Sequence, residues 1–177
     1  MRQPKDIKIG EFTLAEILER HKHWWFEDCD GWKDMRANLY GADLTRANLT
    51  GADLYGANLT RAKNVPFVPM ACPDTGSFTG FKRASDHIVV LEIPADARRL
   101  SATGRKCRCD KAIVLRIEEM DGTMSGLTEV TSDRDRSFFY KVGEMVSVPD
   151  FCEDRWKECS AGIHFFINRQ EAVNYCG

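Results

Sequence analysis

Residues 37–61 read ANLYG-ADLTR-ANLTG-ADLYG-ANLTR, which is one five-residue unit repeated five times. Every copy begins with alanine, continues with Asn or Asp, and has leucine in the third place. A helix repeats about every 3.6 residues and a strand every 2 residues, so a strict period of five fits neither. One small and one large apolar residue at fixed places predict a chain that turns a corner in every copy. The stretch therefore predicts a short solenoid.

The repeat resembles the pentapeptide-repeat family, whose chain coils into a right-handed quadrilateral β-helix. The resemblance implies that the alanines and leucines face inward and that the two residues after each leucine lie at the surface. In that family four copies form one coil, so residues 37–65 imply about one coil. Ordering a chain costs about 1–2 kcal/mol per residue, and so small a coil therefore needs its neighbouring segments for stability.

The overall charge and hydrophobicity exclude several classes of protein. The 177 residues carry 25 Lys and Arg against 27 Asp and Glu, which leaves no basic surplus for sequence-specific nucleic-acid binding or for an anionic membrane. No apolar run of about 18 residues predicts a membrane helix, and residues 1–12 lack the apolar core of a signal peptide. The seven cysteines, an odd number without a secretion signal, are expected to be reduced thiols, so the predicted location is the cytoplasm.

The chain divides into three predicted parts. Residues 1–36 are expected to form a cap, 37–65 the repeat coil, and 66–177 a separate domain after a proline-containing connector. The predicted fold class is α+β, with a short right-handed quadrilateral β-helix between an N-terminal helical cap and a mixed α+β C-terminal domain.

Local patterns predict the structure of the cap. Alternating apolar residues predict a short strand over 7–12. Thr13 and Glu16 form a capping-box sequence that predicts a helix through about His23. The aromatic residues that follow are expected to cover the open end of the coil, whose backbone edges need protection. These residues are Trp24, Trp25 and Trp32.

In the C-terminal domain, β-branched runs predict strands and polar runs predict loops. Strands are expected at 87–93, 111–118 and 162–167, with a hairpin over 138–148 that turns near Gly143. Residues 123–136 are expected to form a polar loop.

The last predicted element is a helix. Asn168 is expected to cap it, with Glu171 as the capping-box partner, and the helix should end near Tyr175.

The segment 98–111 is the most basic stretch of a nearly neutral chain. A glycine-containing loop with several guanidinium groups can hold a phosphate or carboxylate, because the arginine fork matches planar oxyanions. The alternative is a solvated loop whose charges pair with neighbouring acids. The candidate ligand residues of this segment are Arg105, Lys106, Arg108 and Lys111.

Cysteines of the C-terminal domain offer a second candidate site. Thiolates are zinc ligands, and two cysteines one residue apart point to the same side of a strand, although the usual two-residue gap of a zinc-binding pair is absent. The alternative is that these thiols are small buried side chains. We predict no cofactor and no metal, with zinc as the alternative. The cysteines concerned are Cys107, Cys109, Cys152 and Cys159, with His164 as a further candidate ligand.

Residues 162–175 are predicted to form a strand, a cap and a helix, with His164 and Phe166 on one strand face. A structural role for this histidine is one interpretation. The stretch also resembles ADP-ribosyltransferase-like enzymes, in which the strand lines a nicotinamide pocket. That resemblance places His164 where a tyrosine stacks on nicotinamide, and Gly80 near the first motif of those enzymes. The His-Gly pair of that motif is absent, and no catalytic residue is assigned.

The region 71–177 also resembles an uncharacterised C-terminal domain that follows short pentapeptide stretches in bacteriophage and prophage proteins. The resemblance implies a small viral accessory protein in the bacterial cytoplasm, with a role in countering host defences. It implies no known reaction. The matching segments are GSFTGFKRA (76–84), ATGRKCRCDKA (102–112), FYKVGE (139–144) and GIHFFINRQEAVNY (162–175).

Three functions stay open from the sequence. We favour a non-catalytic interaction module that binds a host protein or a small nucleotide-like anion, with basic residues on the phosphate and rings stacked on a base. The second is an ADP-ribosyltransferase-like enzyme that uses a nucleotide. The third is a structural or assembly component, which would form a homo-oligomer. The ring-bearing candidate residues are Trp156, His164, Phe166 and Tyr175.

Overall fold

Each copy of the repeat closes with a backbone turn. In the computed structural model, which describes residues 1–49, 52–66 and 69–175, each leucine carbonyl accepts a hydrogen bond at 2.9–3.1 Å from the N–H of the alanine three residues later. In four of the copies the Asn or Asp before the leucine accepts a hydrogen bond from the N–H two residues later along the chain, as Asp53 does from Tyr55 at 2.8 Å. The two bonds together satisfy the backbone at the corner. Thr50 and Gly51 of the repeat lie outside the described residues.

Parallel bridges join residues of the repeat that are four copies apart. Asn38 pairs with Asn58, and Asp43 pairs with Lys63, which is the spacing of one coil of four copies. These bridges stay isolated, and the described part of the repeat contains no strand and no closed or solenoid sheet. The quadrilateral β-helix therefore stays a prediction. The apolar residues are buried as the resemblance implies at Ala37, Leu39, Ala42, Leu44, Ala47, Leu54, Ala57 and Leu59.

The chain divides into two compact units, Met1–Pro69 and Met70–Gly177. The finer division into cap, coil and domain stays a prediction. In the first unit the repeat is preceded by short elements and one longer helix. They are a 3-10 turn (Pro4–Asp6), β1 (Lys8–Ile9), β2 (Phe12–Thr13), α1 (Leu14–Phe26) and a second 3-10 turn (Trp32–Met35). β1 and β2 pair antiparallel, so the region predicted as a single strand is a small hairpin.

The predicted capping box begins α1. Thr13 Oγ1 accepts a hydrogen bond from the Glu16 N–H at 3.3 Å, and the Glu16 carboxylate accepts one from the Thr13 N–H at 2.7 Å. The helix runs to Phe26, three residues beyond its predicted end at His23. It ends where Glu27 adopts a left-handed conformation with φ 53°.

His21 connects α1 to the repeat through both ring nitrogens. The side chain is buried, its Nδ1 accepts from the Ala37 N–H at 3.1 Å, and its Nε2 lies 2.9 Å from the Tyr55 carbonyl oxygen. Because Nδ1 accepts, Nε2 carries the proton and the ring is neutral. Burial lowers the pKa of His21 from its ordinary value of 6.5.

Two tryptophans of α1 also contact the repeat. The Trp24 ring lies so close to Gly56 that a Cβ atom there would be 2.8 Å from it. Trp25 meets Tyr55 edge-on, with 4.5 Å between the ring centres. Trp32 lies in the second 3-10 turn, where the Lys33 ammonium is 5.7 Å from its ring centre. The end of α1 is thus fitted to one part of the repeat through shape as well as hydrogen bonds.

The second unit is built from antiparallel strands and ends in a short helix. Its elements are β3 (Phe78–Ala84), β4 (His87–Ile93), β5 (Arg99–Ser101), β6 (Cys107–Cys109), β7 (Lys111–Glu118), β8 (Glu129–Thr131), β9 (Phe139–Lys141), β10 (Met145–Ser147), β11 (Ile163–Phe165) and α2 (Arg169–Asn174). A four-stranded sheet has the order β10-β7-β4-β3, a three-stranded sheet the order β11-β6-β5, and β8 pairs with β9. The protein is therefore α+β, with few helices and many antiparallel strands. Within the described residues, neither α-helix has the length and hydrophobicity that a membrane-spanning helix needs.

Several predictions for this unit are confirmed and others are wrong. The strands predicted at 87–93 and 111–118 are β4 and β7. The hairpin predicted over 138–148 is wrong, because β9 pairs with β8 and β10 pairs with β7. The loop predicted at 123–136 contains β8, whose pairing partner lies outside that window and is invisible to a local pattern. β3 was not predicted as a strand.

The start of α2 is only partly as predicted. Asn168 caps the helix by accepting from the Gln170 N–H at 2.8 Å. Glu171 does not complete a capping box, because its carboxylate accepts from Arg105 Nε at 2.7 Å instead. A charged partner distant in sequence has displaced the local bond.

A contact between Gly80 and Phe165 joins the two larger sheets. A Cβ atom on Gly80 would lie 2.7 Å from the Phe165 ring, so only glycine leaves room for this ring on β3. Beside this contact, Phe81 and Phe166 exchange two backbone hydrogen bonds of 2.8 Å. Phe165 is fully buried in a core that includes Val89, Leu91, Ile93, Cys107, Cys109, Val114 and Ile163.

Gly80→Ala should destabilise the protein by about 1–3 kcal/mol, because the new methyl group displaces the Phe165 ring from a packed core. Chemical denaturation monitored by circular dichroism would measure the loss. Thr79→Ala, at the exposed neighbouring position of the same strand, is the control and should change stability by about 0.5 kcal/mol or less. Equal losses in the two variants would contradict a specific close contact.

The unfolding temperature should fall as the pH is lowered below about 6.5, because the unfolded chain protonates His21 and the folded unit keeps it neutral. The pKa is lowered on folding, so this contribution is lost on the acidic side and is complete at neutral pH. His21→Gln should cost about 1–3 kcal/mol at pH 7.5 and make the decline between pH 7.5 and 5.5 shallower. An unchanged pH slope in this variant would exclude His21 as a titrating group.

Candidate functional site

A cavity of about 920 Å³ opens in the second unit. Its lining comes from β3, from segments 132–140, 147–150 and 159–164, and from Tyr175. Elements distant in sequence meet here because β3 and β11 are aligned by the Gly80–Phe165 contact. A space of this volume is large enough for a small organic ligand.

Lys82 supplies a partly buried ammonium group to the cavity. It lies on β3 two residues after Gly80, and its Nζ is 5.6 Å from the centre of the Tyr140 ring. In the described part of the chain no carboxylate forms an ion pair with Lys82. Burial lowers the pKa of Lys82 to about 8, although Asp133 partly opposes the shift. The cavity therefore contains a cationic group that the protein desolvates without neutralising.

His164 also lines the cavity, where the charge of Lys82 acts on its ring, and it stays neutral. Its Nε2 is 3.0 Å from the Ser160 carbonyl oxygen, which can only accept, so this nitrogen is the donor and Nδ1 is left as an acceptor. Burial, with Lys106 and Lys82 as the next causes, lowers the pKa of His164 to about 4. Three cations, Lys106, Lys82 and Arg108, act on this one imidazole, so this end of the cavity is electropositive.

Aspartates supply the opposite charge elsewhere in the lining, and most of them bind to the protein itself. Asp86 pairs with Arg83 at 2.9 Å. Asp133 accepts from the Ser85 N–H at 2.8 Å, and Asp135 accepts from the Ser137 N–H at 2.9 Å. Asp133 and Asp135 keep their charge in these bonds, and Asp133 acts on Lys82 against the effect of burial, but none of the three forms an ion pair with Lys82.

Only part of the predicted basic cluster lies near this cavity. Lys106 does: its Nζ is 3.5 Å from Cys159 Sγ and 5.6 Å from the centre of the Tyr175 ring. Arg105 pairs with Glu171 at 2.7 Å, and Lys111 pairs with Asp96 at 2.6 Å. The structure therefore disperses the segment that the sequence presents as one charged loop.

Arg108 is buried, although it was predicted as a ligand residue in an exposed loop. It lies in the middle of β6, where its Nη2 donates to the Asp154 carbonyl at 2.5 Å and the guanidinium lies 5.7 Å from the centre of the Phe151 ring. Its Nε and Nη1 find no hydrogen-bond partner in the described residues. The positive charge of Arg108 affects the cavity by helping to lower the pKa of His164.

The predicted stacking residues also separate into two groups. His164 and Tyr175 line the cavity. Phe166 packs into a small cluster with Ile88 and Ala172, with its ring centre 5.3 Å from that of Tyr175. Trp156 lies under the Arg155 guanidinium at 4.5 Å, outside the cavity lining.

The four cysteines considered as zinc ligands do not meet in the described part of the chain. Cys107 and Cys109 are buried in β6, where a hydrogen bond with Cys72 raises the pKa of Cys107 and burial raises that of Cys109. Cys159 is exposed beside Lys106, and a hydrogen bond from Ser160 lowers the pKa of Cys152. Cys107 and Cys109 are buried, as the alternative of small buried side chains expects, whereas Cys152 is partly exposed and Cys159 is exposed.

Lys82 and Tyr140 are among the cavity residues that sequence reasoning missed. A signal was present for Lys82: it shares a strand face with Gly80 and Ala84, both buried, and a charged side chain on a buried face is uncommon. This signal could be used only after residues 78–84 had been recognised as a strand.

These features define an antiparallel α+β domain with a charged cavity, on a chain that also carries a short five-residue repeat. The chain belongs to a family of unknown function, DUF5758, whose model matches residues 68–172, more than half of the sequence. A model for pentapeptide repeats (8 copies) matches residues 35–63. No curated protein matches the chain, and no solved structure matches it.

Proposed function

We propose that the second unit is a binding domain that takes a small anionic, nucleotide-like ligand in the cavity at Lys82 and His164. The observation that carries the proposal is the Lys82 ammonium, which the fold desolvates and leaves without an ion pair among the described residues. A desolvated charge costs stability, and an anionic ligand would offset that cost on binding.

The rings of the lining suggest how the rest of the ligand would bind. Tyr175 and Phe138 offer aromatic surfaces in the cavity, and His164 offers an acceptor nitrogen. An anionic group at the electropositive end and a flat ring against these side chains form the combination that a nucleotide supplies.

The repeat and the family domain together are consistent with a non-catalytic interaction module. A viral origin and a counter-defence role stay predictions from resemblance, and a host-protein partner and a homo-oligomer stay hypotheses from the sequence. A ligand-binding domain next to a repeat would be compatible with each of them.

AMP should bind to the full chain, and Lys82→Met should weaken its affinity by about 10- to 100-fold, the effect expected from loss of a charged hydrogen-bond donor. Isothermal titration calorimetry measures the affinity, with inorganic phosphate as the ligand that lacks a base. The wild-type affinity should also fall as the pH rises above about 8, where Lys82 loses its proton, and the variant should lack this decline.

Lys141→Met is the matched control, since Lys141 lies exposed on β9 beside Glu129 and away from the cavity. It should leave AMP affinity unchanged. Lys82→Met should also raise the unfolding temperature, because it replaces a desolvated charge with an apolar side chain, so lost binding cannot be ascribed to misfolding. Absence of AMP and phosphate binding, or equal affinities in the two variants, would contradict the proposal.

The ADP-ribosyltransferase-like function is kept as a second candidate because of one observation. His164, Tyr175 and a residue of segment 76–84 line the same cavity, which is the arrangement that this hypothesis requires. The described lining contains no glutamate to act as the catalytic acid. Calorimetry with NAD at millimolar concentration, together with an assay for NAD consumption, tests this candidate. If NAD binding releases no heat and NAD is not consumed, the candidate is left without support.

A further inference from the structure

Three side chains with metal-binding atoms converge at the end of α1 in the first unit. His23 Nδ1, a carboxylate oxygen of Asp28 and Cys29 Sγ all lie within 4.8 Å of one another. The chain brings them together because Glu27 adopts a left-handed conformation and donates its N–H to the His23 carbonyl at 2.9 Å. Residues 28 and 29 therefore fold back over the last turn of the helix.

The ligand atoms of the three side chains all lie within 4.8 Å of one another, about 1 Å beyond the separation expected on one ion, so small side-chain movements would complete the site. With bonds of about 2.0 Å from zinc to nitrogen or oxygen and about 2.3 Å to sulfur, ligand atoms on a tetrahedral centre lie about 3.3–3.8 Å apart. Met35 Sδ lies 3.7 Å from Cys29 Sγ, which fits two sulfur atoms on one centre. His23 Nδ1 and Asp28 Oδ1 lie 2.7 Å apart with a hydrogen between them, and a metal ion in place of that hydrogen would move them apart by about 0.6 Å.

The surroundings also suit a cation. The group lies at the C-terminal end of α1, where unsatisfied helix carbonyls carry partial negative charge. His23 and Asp28 are about half exposed and Cys29 is partly exposed, so an ion can enter without unfolding the unit.

We propose that His23, Asp28 and Cys29 form a binding site for a borderline divalent metal ion of the Zn²⁺ class, with the Met35 thioether or water as the fourth ligand. A nitrogen, a carboxylate oxygen and a thiolate match this class, whereas Mg²⁺ and Ca²⁺ prefer oxygen ligands alone. The site differs from the cysteines of the second unit that the sequence suggested, and it does not depend on the ligand cavity.

Binding would have two physical consequences. To bind the ion through Nδ1, the neutral His23 ring must carry its proton on Nε2, and the Cys29 thiol must lose its proton. A proton is therefore released and affinity rises with pH. The ion would also cross-link the end of α1 to residues 28–29 and, with Met35, to the 3-10 turn that precedes the repeat. The first unit should therefore unfold at a higher temperature when the ion is bound.

The test is titration of Zn²⁺ alone into the reduced full chain by calorimetry in two buffers of different ionisation enthalpy. We expect one ion per chain with proton release, and an unfolding temperature higher by about 5 °C at saturation. His23→Gln and Cys29→Ser should each weaken the affinity by about 100-fold. Titration with Co²⁺ gives a second readout, because the near-ultraviolet absorption of a thiolate-cobalt bond should be present in the wild type and absent in Cys29→Ser.

His87→Gln is the matched control: His87 also lies beside a carboxylate, Glu119 at 3.6 Å, but in a pair that belongs to no three-ligand group of the described residues. It should bind Zn²⁺ as the wild type does. Circular dichroism of each variant verifies that it is folded. Zn²⁺ affinity that is unchanged in His23→Gln and Cys29→Ser, or that is lost in Cys159→Ser instead, would overturn the proposal, as would absence of binding to the wild type.

Discussion

The close approach of the Phe165 ring to Gly80 fixes the geometry of the second unit. Because Gly80 has no side chain, β11 can approach β3, and the neighbouring Phe81 and Phe166 then exchange backbone hydrogen bonds. This alignment carries Lys82 and His164 to the same cavity, although 82 positions separate them in sequence. Packing in the core thus determines that Lys82 and His164 line one cavity. The contact responsible, between Gly80 and the Phe165 ring, is entirely apolar.

The repeat shows how far a local pattern can predict structure. Three predictions depend only on residues close in sequence, and the structure agrees with each. They are the five-residue period, the burial of alanines and leucines in the repeat, and the capping box before α1. The constant Asn or Asp had no role in the sequence argument, yet its side chain accepts the corner N–H in copies such as Asp53–Tyr55. The histidine that joins α1 to the repeat was also missed, since its partners Ala37 and Tyr55 are distant in sequence.

The candidate site was less predictable because its charges are paired over long distances in sequence. The segment 98–111 carries six basic residues and one acid, but Glu171 and Asp96 bind Arg105 and Lys111, and Arg108 is buried in the middle of β6. The basic run is therefore divided into three ion-paired residues, the buried Arg108, Lys106, and Arg99, which donates to backbone carbonyls. Lys82 combines burial of its side chain with the lack of a carboxylate partner among the described residues, and no window of sequence can show that a distant partner is missing.

The backbone of Arg2 has a consequence for how the repeat could meet other chains. Its N–H donates to the Arg46 carbonyl at 2.7 Å, and its carbonyl accepts from the Asn48 N–H at 2.9 Å, in a parallel bridge to Ala47. An extended segment of another molecule could pair with this side of the repeat only by first displacing the beginning of the chain itself. The first few residues therefore compete with any incoming strand for the same backbone groups. The more stable their pairing with residues 46–48, the less readily another strand can replace them at this edge.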